Sequence, residues 1–474
     1  MNYLENLVKL TGGSLEATES NVKVVDRKTF KKNVHKLTEI SALKTGKEAA
    51  AARFLVRGAA LDLGIYPASI HDLYIARGKG EVPNTFTVPA INLRVLPFEA
   101  ARAVFKIANE INAGAFIFEI ARSEIGYTDQ RPSEFITNIL AAAIAEDFQG
   151  PVFIQGDHFQ ISAGRYASDA ESELNAVRQL SKEAIHAGFF NIDIDTSTLV
   201  DLSKSSTADQ QQVNTTLSAE LSAHVRSLEP EGITISIGGE IGEVGGQNSN
   251  EEELRIYTEQ YNQKLEALTP GTPGLSKISI QTGTSHGGVV LPDGTIAQVS
   301  VDFDTLKSLS RIARDDYGMG GAVQHGASTL PQDAFGKFVE SEAVEVHLAT
   351  NFQNMFYDHA PKSLVEKIYA YLNANHSSER KADMTDDQFY YKTRKRAFGA
   401  FKAEIWAISD QEKSVISEKW AAQFKQLFDS LAIANTKQYT TSITAGSKYL
   451  PSLNSYDEFI ASESEQEDTS DLAD

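Results

Sequence analysis

The sequence predicts an α/β chain folded as a (β/α)8 TIM barrel, with helical extensions before and after it. Three observations predict this: eight apolar, β-branched runs within about 270 residues, amphipathic stretches between them, and polar or glycine-containing turns where the runs end. The runs are residues 85–93, 113–121, 150–158, 187–195, 232–240, 275–283, 321–328 and 343–350. Between them, residues 98–112, 133–148, 171–188 and 303–318 repeat apolar side chains at three- and four-residue spacing, as helices laid on a sheet require. An open doubly wound sheet would use the same alternation but usually needs fewer strands.

This assigns 85–360 to the barrel, 1–84 to an N-terminal helical extension and 361–435 to a C-terminal helical segment. Residues 45–64, 363–376 and 390–408 are the clearest helical stretches in the flanks. The flanks carry no chemical motif and read as surfaces that pack on the barrel or on another subunit. Residues 436–474 read as an acidic, flexible tail. No Lys or Arg follows Lys448, whereas Asp457, Glu458, Glu463, Glu465, Glu467, Asp468, Asp471 and Asp474 do, which points to a solvated segment.

With 474 residues and 41% hydrophobic content, the chain can bury one large core or two domains. No run of about 18 apolar residues could span a bilayer. The opening MNYLENLVKLTGGSLEATES lacks the basic and apolar regions of an export signal, so a soluble, cytoplasmic protein without a membrane partner is expected. The absence of cysteine excludes disulfides and thiolate ligands, leaving nitrogen and oxygen to hold any metal. The net charge of −20 argues against a nucleic-acid partner, which needs clustered cations.

Barrel active sites gather at the C-terminal strand ends, so the last polar residues of each run are the candidates. They are Asn92, Asp157 and His158, Asp193 and Asp195, Glu240 and Glu243, His286, His325 and Ser328, and His347, Thr350 and Asn351. A lone histidine is usually an ordinary packed or surface residue, as we take His35, His71, His186, His224, His359 and His376 to be. Three strand-end histidines, His158, His286 and His325, with Asp157 beside the first, instead suggest a divalent metal held by imidazoles with an open position.

Gly287 and Gly288 follow His286, and Gly326 precedes Ser328. These glycines either make tight βα turns or let backbone amides approach an anion, which a barrel commonly binds after its seventh and eighth strands. The helical stretch expected around 331–340 would add a favourable N-terminus for a phosphorylated small molecule. The segment 240–254 either forms a mobile loop carrying a carboxylate or ends in the acidic first turn of a helix; Glu252 and Glu253 fit the helix.

The ordered set VPAIN, GDH, IDIDTS, GEIGEVGG, TSHGG, QHGAST and HLATNFQ resembles the class II, metal-dependent fructose-bisphosphate aldolase family over about residues 85–355, and YYKTRKRAFGAFKAEIW resembles its C-terminal helical segment. The resemblance implies a zinc or other divalent ion on His158, His286 and His325, with Glu240 an alternate ligand or a partner of one and Asp195 near the metal. It implies that Asp157 exchanges a proton with the substrate C4 hydroxyl, and that a loop carboxylate exchanges the proton at C3. The family usually places glutamates after GG, where this chain has Gln247 and Asn248, so Glu251 is the candidate for the second role.

By the same resemblance, Asn92 and Ser328 contact substrate, Ser328 through phosphate, and Gly287 and Gly326 belong to phosphate and monovalent-cation (Na+ or K+) loops. At the eighth strand the family's N-I-D-T-D becomes His347-Leu348-Ala349-Thr350-Asn351, which makes His347, Thr350 and Asn351 candidates for altered substrate contacts. Ala121, followed by Arg122 and Ser123, replaces a phosphate-binding serine at the second strand. The implied reaction splits fructose 1,6-bisphosphate into dihydroxyacetone phosphate and glyceraldehyde 3-phosphate, a step of glycolysis and gluconeogenesis. The alternatives are another ketose phosphate, such as tagatose bisphosphate, or a non-catalytic, aldolase-like subunit; a homo-oligomer is expected. No Schiff-base lysine is needed, and Lys277 lies within its strand rather than at the tip.

Overall fold

In the computed structural model, which describes residues 2–242, 247–283, 291, 300–456 and 472, eight parallel strands close into a barrel. Three strands precede them: a hairpin of β1 (Leu15–Thr18) and β2 (Asn21–Val24), then β3 (Ile65–Ala68). The barrel strands are β4 (Val88–Asn92), β5 (Ile117–Ala121), β6 (Gly150–Gln160), β7 (Asn191–Asp195), β8 (Ser236–Glu240), β9 (Lys277–Ile280), β10 (Ala322–Gln324) and β11 (Glu345–Leu348). Each falls inside or overlaps one of the eight runs read from the sequence. They pair in sequence order, β11 returns to β4, and β6 pairs with β7 to complete the ring.

Every residue of β4, β5, β7, β8, β9, β10 and β11 is buried, because a closed barrel covers one face of each strand with its own interior and the other with helices. The wrapping helices include Pro97–Glu110, Pro132–Ala145, Ala170–Ala187, Thr207–Ser227, Glu251–Leu268 and Phe303–Asp315. Glu251–Leu268 starts with a capping box in which Asn250 and Glu253 satisfy each other's backbone N–H groups, so Glu252 and Glu253 do lie in the acidic first turn of a helix.

Pro132–Ala145 is buried along its entire length and has no exposed face, although it carries Ser133, Glu134, Thr137 and Asn138. The N-terminal extension explains this: helices Arg27–Leu43 and Gly46–Asp62 pack over it. Gly46–Asp62 is rich in alanine, the residue of best helix propensity, and its span from Ala49 to Ala60 is wholly buried. The extension is not purely helical, since it also supplies the β1–β2 hairpin and β3, which pairs parallel with the first half of β6.

Three expectations about the flanks and turns change. Residues 390–408 form no single helix; the chain breaks into Asp386–Thr393, a 3-10 turn at Arg394–Arg396, Ala397–Ala400 and Lys402–Trp406. Gly399 marks the bend: a Cβ there would lie 2.9 Å from the Tyr127 carbonyl oxygen, so the chain passes too close for a side chain. The segment after 435 is not all tail, because Lys437–Ile443 is helical, Gly446 bridges to Ala68, and Tyr456 is buried against Phe54. Residues 331–340 give a 3-10 turn and the five-residue helix Gly336–Glu340, too short for a strong helix dipole. The C-terminal helix Asp410–Ser430 packs on Pro97–Glu110, and Trp420 donates its indole N–H to the Phe352 carbonyl. No helix among the described residues is long and apolar enough to cross a membrane.

Candidate active site

A bulge in β6 builds the centre of the site. In a regular strand Asp157 and His158 would point to opposite faces, but the β6–β7 register shifts between Gly156 and Phe159, and His158 takes the left-handed φ of 40°. Such a backbone is costly for a residue with a Cβ and occurs where function holds it in place. Both side chains thereby line one cavity with Asn92, His325 and Ser328.

His158 Nδ1 stands 3.1 Å from Asp195 Oδ2 and 3.0 Å from Glu240 Oε1, and its Nε2 stands 4.0 Å from Asp157 Oδ1. His325 Nε2 lies 3.5 Å from the same Glu240 oxygen and 2.9 Å from the Ser279 hydroxyl, and the two imidazole centroids are 4.5 Å apart. Asp157, His158 and His325 therefore bring ligand atoms together, as do His158, Asp195 and Glu240. Buried Glu240 Oε1 and Asp157 Oδ1 have no hydrogen bond of good geometry, which leaves acceptors facing the imidazoles. Imidazole nitrogen and carboxylate oxygen suit a divalent ion such as zinc. His286, Gly287, Gly288 and Glu243 lie outside the described residues.

The electrostatics follow from burial and crowding. Burial would raise the Asp157 carboxyl, but the His158 and His347 imidazoles hold it well below the usual carboxylate range. Against burial, Asp157 and Glu240 hold His158 well above its ordinary value. Burial, reinforced by Asp195, pushes Glu240 up to about 7. Anionic Asp157 beside these histidines is in the state a proton acceptor needs.

His347, expected to contact substrate, lines the cavity and is also held by carboxylates. Its Nδ1 lies 3.1 Å from Glu119 and 3.2 Å from Asp157, and its Nε2 lies 2.7 Å from Glu345, so it sits among carboxylates while its edge lines the cavity. Below it, Lys277 Nζ reaches Gln155 at 2.7 Å, Asp193 at 2.9 Å and Glu345 at 2.5 Å. Burial would lower the Lys277 ammonium, but those two carboxylates hold it above its ordinary value, so this amine is a locked counter-ion and not a nucleophile.

The other candidates divide. Gly326, with φ 69°, Ser328 and Thr350 line the cavity, and Ser328 Oγ accepts a hydrogen bond from the Ala349 N–H at 2.6 Å, leaving its own proton free to donate. Asn351 lines a neighbouring cavity with Ser328 and Phe352. Glu251 does not join the cluster: it is exposed on the first turn of its helix and pairs with Arg255 at 2.9 Å. Gln247 and Asn248 are exposed as well.

The structure adds Arg94, Glu119 and Glu124 to the cavity wall, none of them singled out from the sequence. The available signal was a charge inside or beside an apolar run: Glu119 interrupts FIFEIA, and Arg94 follows Asn92 by two residues.

Comparison with known proteins fits this geometry. The chain resembles a probable tagatose 6-phosphate kinase of Sinorhizobium meliloti, with a TM-score of 0.51, 14% identity, and 80% of this chain and 98% of that one covered. It is also similar to a fructose-bisphosphate aldolase of Campylobacter jejuni, with a TM-score of 0.46, 16% identity and coverage of 78% and 96%. No curated protein sequence matches the chain. Residues 82–406, well over half its length, match the family described as fructose-bisphosphate aldolase class-II, which spans every barrel strand and the broken helical segment after them. The chain belongs to the class II fructose-bisphosphate aldolase family.

Proposed function

We propose that this protein is a zinc-dependent ketose-bisphosphate aldolase that reversibly cleaves fructose 1,6-bisphosphate to dihydroxyacetone phosphate and glyceraldehyde 3-phosphate, acting in the cytoplasm. The observation that carries the proposal is the meeting of Asp157 with His158 and His325 in one cavity of an aldolase-family barrel, with Glu240 against both imidazoles. His158 and His325, together with His286, would hold the ion, with Glu240 and Asp195 beside them. When bound, the ion supplies Lewis-acid stabilisation of the negative charge left when a carbon–carbon bond next to a ketone breaks.

The chain's own residues do the rest. Asp157 accepts the C4 hydroxyl proton during cleavage and returns it during condensation. Ser328 offers a hydroxyl proton to a phosphate oxygen, and Gly326 brings backbone close enough for the same contact. Glu251 remains the candidate for the C3 proton, although it is exposed and pairs with Arg255 away from the metal-ligand cluster. The substituted positions, His347 and Ala349, lie on the cavity wall, which keeps tagatose bisphosphate as the second substrate to assay.

The test is cleavage of fructose and tagatose bisphosphates by the purified protein, with and without EDTA, beside Asp157→Ala. We expect activity that chelation abolishes and zinc restores, and that falls about 10²–10⁴-fold in the variant while bound zinc stays near the wild-type amount. Activity that survives chelation would sink the metal mechanism. Inactivity on every ketose phosphate would favour a non-catalytic subunit.

A further inference from the structure

Asn92 is held in an unusual way for a residue on a substrate cavity. Its Nδ2 donates to Glu124 Oε2 at 2.5 Å, the same oxygen accepts the Ala121 N–H at 2.7 Å, and Glu124 Oε1 accepts from Arg94 Nε at 2.7 Å. Arg94 is braced in turn by its Nη1 donating to Gln353 at 3.2 Å. Asn92, Arg94 and Glu124 are 2%, 5% and 0% exposed, so water does not compete for these contacts.

A carboxylate with three donors around it, one of them a guanidinium, is ionised and has no proton to give. Only the NH2 end of Asn92 can face it. The carboxamide oxygen must then point away, and Asn92 Oδ1 is indeed buried without a hydrogen-bond partner while its residue lines the cavity that holds Asp157 and His158. A buried acceptor of fixed orientation calls for a donor from the ligand.

We infer that Glu124, held by Arg94, locks Asn92 with its carboxamide oxygen toward the cavity, so that this wall selects a substrate hydroxyl and disfavours an analogue that lacks it. The same arrangement turns phosphate away, since an amide oxygen repels phosphate oxygens and the Ala121 N–H is already spent on Glu124. Glu124 and Arg94 are positioning residues; Asn92 makes the contact. The inference rests on the aldol reading of the site and deepens it.

Retro-aldol cleavage needs the C2 carbonyl and the C4 hydroxyl, so 3-deoxy and 5-deoxy ketose bisphosphates remain chemically competent probes. Wild type should prefer the parent substrate over at least one of them by about tenfold or more in kcat/KM. In Glu124→Gln, a glutamine that can donate as well as accept frees the Asn92 amide to turn. We expect kcat/KM on the parent to fall about tenfold while that on the disfavoured analogue barely changes, whereas a purely structural defect would lower both alike. The double variant Glu124→Gln with Arg94→Met removes both buried charges together and should show the same loss of discrimination even if the single variant fails to fold. A folded, zinc-loaded variant of either kind that keeps wild-type discrimination overturns the inference alone. A wild type inactive on every ketose phosphate overturns the proposed function and this inference with it.

Discussion

Replacing Lys277 with methionine tests whether the barrel interior is organised by charge. In the wild type its ammonium stands 2.9 Å from Asp193 and 2.5 Å from Glu345, with all three side chains buried. At an effective dielectric constant of about 20, a pair at such a distance is worth about 6 kcal/mol of attraction, and desolvating the ions offsets much of it. Truncating one partner of such a group costs about 3–5 kcal/mol, because the remaining carboxylates stay buried without their cation. That is a large part of the 5–15 kcal/mol typical of a folded protein. Urea unfolding at pH 7 should therefore show Lys277→Met destabilised by about 3–5 kcal/mol.

The deficit should depend on pH with a definite sign. Burial would raise Glu345, yet Lys277 and His347 hold it at about 2, so it contributes stability above its ordinary value of 4.5 that is lost as pH falls through about 2. Without Lys277, Glu345 rises from its depressed value and Asp193, which burial already holds at about 6, rises further. The deficit is then full above those raised values and shrinks as pH falls toward the unfolded carboxylate range. Adding Glu345→Gln should recover part of the loss. A loss under about 1 kcal/mol at pH 7 would refute the charge argument, and borohydride trapping of substrate on Lys277 would refute its role as a locked counter-ion.

Two further outcomes follow from single sites. Burial would raise Glu342, but Arg311 and Arg314 hold it at about 2, so its contribution is present above 4.5 and lost as pH falls toward 2; because solvent screens this pair, Glu342→Gln should cost about 1 kcal/mol at pH 7 and almost nothing at pH 2, read by urea unfolding. In Gly156→Ala, the new Cβ would meet the Phe159 ring at 2.4 Å, so we expect a loss of about 1–3 kcal/mol together with reduced zinc retention and turnover as the bulge shifts; unchanged melting and turnover would show that the bulge tolerates the methyl group.

Much of the barrel was legible because its signal is local. Each strand is a short apolar run, and each packed helix carries its own spacing, so the eight units could be counted without knowing how they meet. Residues 390–408 misled for the complementary reason: their helical composition is local, whereas the close pass of Gly399 against Tyr127 is set by a segment far away in sequence. The site was legible where one run ends in chemistry, as at Asp157 and His158. The bulge that turns both of those side chains inward leaves no mark on period-2 alternation, because it depends on the pairing of β6 with β7. Glu124 was hidden in the same way, since its meaning lies in its contacts with Asn92 and Arg94.

The charges of the barrel interior show what closure adds. Glu119, Asp193, Lys277 and Glu345 come from four strands, and each looks like an isolated polar residue in an apolar run. A barrel gathers inward-pointing side chains from alternate strands into layers, which makes them one network together with Gln155 and His347. In that network four carboxylates, Glu119, Asp157, Asp193 and Glu345, face two cations, Lys277 and His347. Burial pushes Glu119 up to about 8 and Asp193 up to about 6, so the floor already carries as much negative charge as its surroundings tolerate. Such a floor attracts a cation and repels phosphate. On the proposed reading, a sugar bisphosphate would keep its anionic ends away from this floor, with Gly326 and the hydroxyl proton of Ser328, which line the same cavity as Asp157, available to a phosphate.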